Sequence, residues 1–127
     1  MRFSFNPKEG PILILTKIWG PEGDTVVHLA LDTGATTTVI NWDILILLGY
    51  DVAVVPDRRK LVTASGIEFA PQISIDKMSA LGEEQKKFPL ICHTLPASSG
   101  VNGLLGLDFF RGKQLVIDFR IGKIDVQ

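Results

Sequence analysis

The chain has 127 residues, of which 46% are hydrophobic and one is cysteine. A chain of this length buries roughly two-thirds of its unfolded surface on folding, so a single domain over residues 1–127 is expected without disulfides or a structural metal. Thirteen basic residues oppose fourteen acidic ones and no basic run exceeds Arg58-Arg59-Lys60, which leaves no electrostatic footprint for nucleic acid or anionic lipid.

Cys92, His28 and His93 fall short of the four ligands of a structural zinc site. The start, Met1 to Lys8, lacks the continuous apolar segment of a secretory signal, and the longest apolar run, Ile44 to Leu48, is too short to cross a bilayer. A cytoplasmic protein, or the soluble part of something larger, with no membrane partner is expected.

In chain order, Ile12 to Trp19 and Thr25 to Leu31 are apolar and β-branched runs separated by Gly20-Pro21-Glu22-Gly23-Asp24, which predicts a β-hairpin. Thr36 to Ile40 are five β-branched residues and predict a third strand. Asn41 suits an N-cap, Asp43 sits in the first turn and Gly49 suits a C-terminal stop, so residues 42–48 are expected to be a short helix with its apolar stripe on a sheet.

From Val52 to Ile75 short apolar stretches continue, punctuated at Pro56-Asp57 and at Ser65-Gly66, the latter a hairpin tip between Leu61-Val62-Thr63 and Ile67-Glu68-Phe69. Gly82 to Lys87 is polar and reads as a surface turn ahead of a strand from Phe88 to Cys92. After a Pro, Ser and Gly loop from Leu95 to Gly103, Leu104-Leu105-Gly106 reads as a strand end running into one or two helical turns that Gly112 stops. Leu115 to Phe119 and Lys123 to Val126 predict a terminal hairpin. The sum is a predominantly β chain of eight or nine short strands and two short helices.

Most informative is the segment His28-Leu29-Ala30-Leu31-Asp32-Thr33-Gly34-Ala35-Thr36-Thr37. An aspartate at the end of an apolar strand sits where desolvation disfavours its charged form, so its neighbours decide its state. Thr33 can hydrogen-bond locally, and Gly34 lets the backbone approach the carboxylate. An ordinary turn is the plain alternative for Asp-Thr-Gly. The context argues against it, because apolar Leu29 to Leu31 precede the tripeptide, small Ala35 follows, and Leu104-Leu105-Gly106 comes later in the chain.

In this combination the sequence resembles the retropepsin-like aspartic proteases, the family of retroviral proteases and their bacterial and eukaryotic relatives. The matching parts are Leu31-Asp32-Thr33-Gly34-Ala35, a flap-like hairpin from Thr63 to Phe69, and Gly103-Leu104-Leu105-Gly106 with Leu107 to Arg111. Together they take in residues 10–127. The helix directly after the Asp loop is more like the bacterial branch, and the flap carries one central Gly66 in place of a Gly-rich tip. The terminal strands that retroviral members interleave between subunits are replaced, in this reading, by the hairpin from Leu115 to Val126.

The resemblance implies an all-β fold, a closed acid-protease barrel with two short helices. It implies an aspartic endopeptidase that activates water without metal or cofactor, acts on polypeptides and supplies half a site per chain, hence a homodimer. Asp32, Thr33 and Gly34 would then be catalytic, with Thr33 bonding across the dimer, and Ala35, Thr63, Ala64, Ser65, Gly66 and Leu104 would contact substrate. The alternative is a non-catalytic dimeric module of the same fold that binds extended peptides. His28 and His93 read as structural or surface residues, Cys92 as a small buried hydrophobe, Asp108 as a helix-start or turn residue, Asp118 as a hairpin residue, and Trp19 and Trp42 as packing residues.

Overall fold

A computed structural model describes residues 2–52, 58–63, 66–96 and 99–127. The described residues form ten strands, one α-helix and one 3-10 helix. In order these are β1 (Arg2–Ser4), β2 (Leu13–Gly20), β3 (Gly23–Leu31), β4 (Val39–Ile40), α1 (Trp42–Leu47), β5 (Arg58–Thr63), β6 (Gly66–Ala80), β7 (Glu83–Cys92), β8 (Gly103–Leu105), the 3-10 helix Leu107–Phe110, β9 (Leu115–Asp118) and β10 (Lys123–Val126).

The predicted first hairpin forms with Gly20 opposite Gly23 and Leu13 opposite Ala30. Period-2 alternation drives Ile14, Thr16 and Ile18 of β2 and Val27 and Leu29 of β3 inward. Thr16 tolerates full burial because its hydroxyl donates to the Ile14 carbonyl at 3.2 Å.

The main sheet runs β2-β3-β8-β4-β7-β6-β5, and a further pairing of β2 with β6 joins its two sides. Six strands thereby close into a barrel, and β5 stays outside the ring as the outer arm of a hairpin with the first half of β6. Closure removes the free edges that a short open sheet would expose. Two pairings, β3 with β8 and β4 with β7, are parallel.

Local expectations hold in part. The helix spans Trp42–Leu47, and Gly49 stops it at φ +92°. Gly49 N donates to the Ile46 carbonyl and Tyr50 N to the Leu45 carbonyl, each at 3.0 Å, the paired bonds of a left-handed glycine cap. Asn41, however, makes no side-chain cap. Its Oδ1 accepts the Leu95 amide at 2.9 Å and so ties the helix start to the segment after β7.

Two further expectations are corrected, and one strand is added. Of the β-branched run Thr36 to Ile40 only Val39–Ile40 is strand, because Ala35, Thr36 and Thr38 direct their polar groups to residues 106–108. The polar stretch before Phe88 is not a loop: β7 begins at Glu83 and the turn is Leu81-Gly82. Pairing with β6 and an ion pair of Lys77 with Glu84 at 3.3 Å support a strand whose outer side is solvated. Finally, β1 pairs with β10, and β10 with β9, in a separate three-stranded sheet; the three-residue β1 carries no local periodicity to announce it. The expected break at Pro56-Asp57 lies outside the described residues.

The Asp118 carboxylate caps the terminal hairpin turn by accepting Arg120 N at 2.8 Å, and that backbone bond holds the group below the usual carboxylate range. In the core, Phe109 is fully buried and meets Phe88 and Phe110 edge-on at ring centroid separations of 6.0 and 5.4 Å. Phe109→Ala is expected to cost about 3–5 kcal/mol, read as a lower denaturant midpoint. An unchanged midpoint would show that the aromatic cluster does not carry the barrel.

Candidate active site

Asp32 directly follows β3, the apolar strand that crosses the barrel beside β8. Its amide donates to the Leu105 carbonyl at 3.0 Å, so the parallel strand pair fixes the aspartate backbone. The carboxylate is held from within the loop, where Gly34 N donates to Asp32 Oδ1 at 2.9 Å and Ala35 N to the Asp32 carbonyl at 3.1 Å. A Cβ on Gly34 would lie 3.2 Å from Oδ1, closer than ordinary packing, so the missing side chain keeps room for the carboxylate.

A second segment braces this loop from below. Leu107 N donates to the Ala35 carbonyl at 2.8 Å and Asp108 N to the Thr36 carbonyl at 3.2 Å. Asp108 Oδ2 accepts Thr38 N at 2.9 Å and Asp108 Oδ1 accepts the Thr38 hydroxyl at 2.7 Å. The same hydroxyl oxygen accepts Gly106 N at 3.1 Å. Thr38 is fully buried, and this network satisfies its amide and hydroxyl together. Gly106 has to be glycine here, since a Cβ would come within 2.8 Å of the Ala35 carbonyl oxygen.

Asp32 opens onto a cleft of about 650 Å³ whose lining includes Gly34, Ala35, Val39, Ile91 and Leu104. Lys60 of β5 and Glu68 of β6 also line it, so the β5–β6 hairpin contributes to its wall. His93, just after β7, also lines the cleft and places Nε2 at 3.5 Å from Glu68 Oε2.

Of the residues expected at the site, Asp32, Gly34, Ala35 and Leu104 line this one cleft. Thr33 is exposed beside Asp32. Thr63 pairs with Gly66 at the end of the hairpin, and Ala64 and Ser65 lie outside the described residues. Sequence reasoning passed over Thr38, Lys60 and Glu68 at the site, and read Asp108 as a helix-start or turn residue and His93 as a structural or surface residue. An aspartate two residues after Leu105-Gly106 was visible, but nothing local links it to Thr38 seventy positions earlier.

Cys92 is a small buried hydrophobe, as read from the sequence. Burial pushes its thiol up to about 11, only partly opposed by the positive charge of Arg58, which keeps it protonated and inert at neutral pH.

Residues 22–112 match the family described as "gag-polyprotein putative aspartyl protease", a span that runs from the β2–β3 turn through the Asp32 loop to the 3-10 helix. The chain belongs to this retropepsin-like family. The fold agrees: a crystal structure of a retropepsin-like aspartic protease from Rickettsia conorii superposes with a TM-score of 0.71 over 100% of this chain and 97% of that one, at 20% sequence identity. No curated protein matches the sequence. Within the family frame the closed six-stranded barrel and the two short helices are the expected all-β acid-protease architecture. Among the described residues no helix is long and apolar enough to cross a membrane.

Proposed function

We propose that residues 1–127 form one aspartic endopeptidase domain that works as a homodimer, with one Asp32 from each subunit in a shared site. The observation that carries this reading is the carboxylate of Asp32, held by Gly34 N at 2.9 Å and opening onto a cleft large enough for an extended peptide.

Hydrolysis of an amide by acid–base chemistry takes one carboxylate to deprotonate water and one carboxylic acid to polarise the scissile carbonyl. One chain supplies a single Asp-Thr-Gly. An isologous two-fold contact sets a residue near its own copy, and two carboxyl groups at such range share one proton, because like charges at about 3 Å do not both stay ionised. Water between the pair loses its proton to one Asp32 as it attacks the carbonyl carbon, and the other Asp32 stabilises the oxygen of the tetrahedral intermediate. Collapse of that intermediate returns a proton to the leaving amine.

Thr33, exposed beside Asp32, is assigned to the cross-dimer hydrogen bond, and Gly34 to support of the carboxylate. Ala35 and Leu104 line the substrate channel, the β5–β6 hairpin covers an extended chain by main-chain bonding, and Thr63, Ala64, Ser65 and Gly66 are assigned to substrate contact. The active form holds one proton per pair, so activity follows a bell in pH whose limbs belong to the pair jointly.

Incubation of the dimeric protein with a mixed peptide library between pH 4 and 7 tests the reading. Internal cleavage that pepstatin suppresses, together with a solution mass of two chains, is the expected result. A strict monomer at working concentration, or intact peptides across the whole pH range, overturns it.

A further inference from the structure

The Glu68–His93 pair is one boundary of the Asp32 cleft, and a second groove of about 510 Å³ lies beyond it, with Glu68, His93 and Thr94 common to both. Trp42 at the start of α1, Phe69 of β6 and Arg58 of β5 line this groove. Phe69 is 69% exposed, so the fold spends little of its apolar surface on the core. Trp42 is half-buried and its inner part packs on the core.

We propose that this groove is an accessory subsite for an aromatic side chain of the polypeptide substrate, several residues from the scissile bond. The proposal rests on reading the Asp32 cleft as a peptidase site. A β-like chain advances about 3.3 Å per residue, so a peptide lying in the cleft runs on past its end. The shared wall makes the groove the adjoining surface it meets.

The lining selects the occupant. Trp42 and Phe69 offer rings for edge-on or offset packing, and the Arg58 guanidinium stacks on an aromatic face. A carboxylate entering here gains Arg58 but meets Glu68 of like sign, and a cationic side chain gains Glu68 but meets Arg58 of like sign. An aliphatic group gains burial alone. A neutral ring draws on Trp42, Phe69 and the guanidinium without a charge conflict.

The Asp32→Asn protein, labelled with nitrogen-15, is titrated with N-acetylphenylalaninamide and with N-acetylalaninamide. The phenylalanine probe is expected to bind about fivefold or more tightly, shifting the Trp42 indole and the amides of Phe69, Ala70 and Thr94. Phe69→Ala, at an exposed position that does not threaten folding, and Arg58→Gln are each expected to reduce that preference.

Equal binding of the two probes, or shifts confined to Gly34, Ala35 and Leu104, overturns the proposal. In cleavage of a peptide library by the wild-type protein, enrichment of aromatic residues at one position beyond the immediate neighbours of the cut, lost in Phe69→Ala, supports it, and cutting without such enrichment overturns it. A wild-type protein that cleaves nothing, while the phenylalanine probe still seats by Trp42, sinks the peptidase reading and leaves the aromatic site standing.

Discussion

Asp32→Asn is expected to lower peptide hydrolysis by at least about a thousandfold while leaving the fold intact. Asparagine is isosteric and its Oδ1 can still accept the Gly34 amide, so loop geometry persists, but no carboxylate remains to take a proton from water. Retained melting behaviour with lost turnover separates chemistry from folding. Mixing makes the test sharper. When wild-type and Asp32→Asn chains exchange freely at fixed total concentration, activity should fall as the square of the wild-type fraction, because only wild-type pairs carry two carboxyl groups. A linear fall would mean that each chain acts alone, and the shared site would be wrong.

The second large effect is expected at the brace beneath the loop. Asp108→Ala removes the acceptor of both the Thr38 amide and the Thr38 hydroxyl, and a buried donor left without a partner costs about 1–3 kcal/mol. Thr38→Val keeps the shape and strands the Gly106 amide instead. Both substitutions loosen the segment that fixes Ala35 and Thr36, and a misplacement of about 1 Å is enough for a loss on the order of a hundredfold. The loss should fall mainly on kcat, since neither Asp108 nor Thr38 lines the cleft. Thr38→Ser, which keeps the hydroxyl, should recover most of the activity. If Thr38→Val and Thr38→Ser behave alike, the hydroxyl is not what sets the loop.

The β2–β3 hairpin, the helix at Trp42 and the β9–β10 hairpin were legible because each is written in residues close together: alternating apolar positions, a turn-forming Gly or Asp, a glycine after the last helical turn. Asp32 was legible for a related reason, an acidic residue placed at the end of an apolar strand with glycine two positions on. Where local chemistry pointed elsewhere, the reading failed. Glu83 to Lys87 look like a solvated turn until β6 is seen to pair with them, and Thr36 to Thr38 look like strand until Asp108 takes their polar groups. Asn41 looks like a helix cap, yet its side chain is engaged by Leu95.

What the sequence determined alone was the β character of the chain, the position of its helices and the aspartate that an apolar strand presents in an Asp-Thr-Gly loop, since periodicity and turn chemistry act over a few residues. The tertiary structure decided which distant groups meet. Closure of the barrel through β2 and β6, the grip of Asp108 on Thr38 and the approach of Glu68 to His93 at the edge of the cleft join residues 25 to 70 positions apart. Each depends on the path of the whole chain, because a hydrogen bond or an ion pair is specified by distance in space and leaves no period in the sequence between its partners.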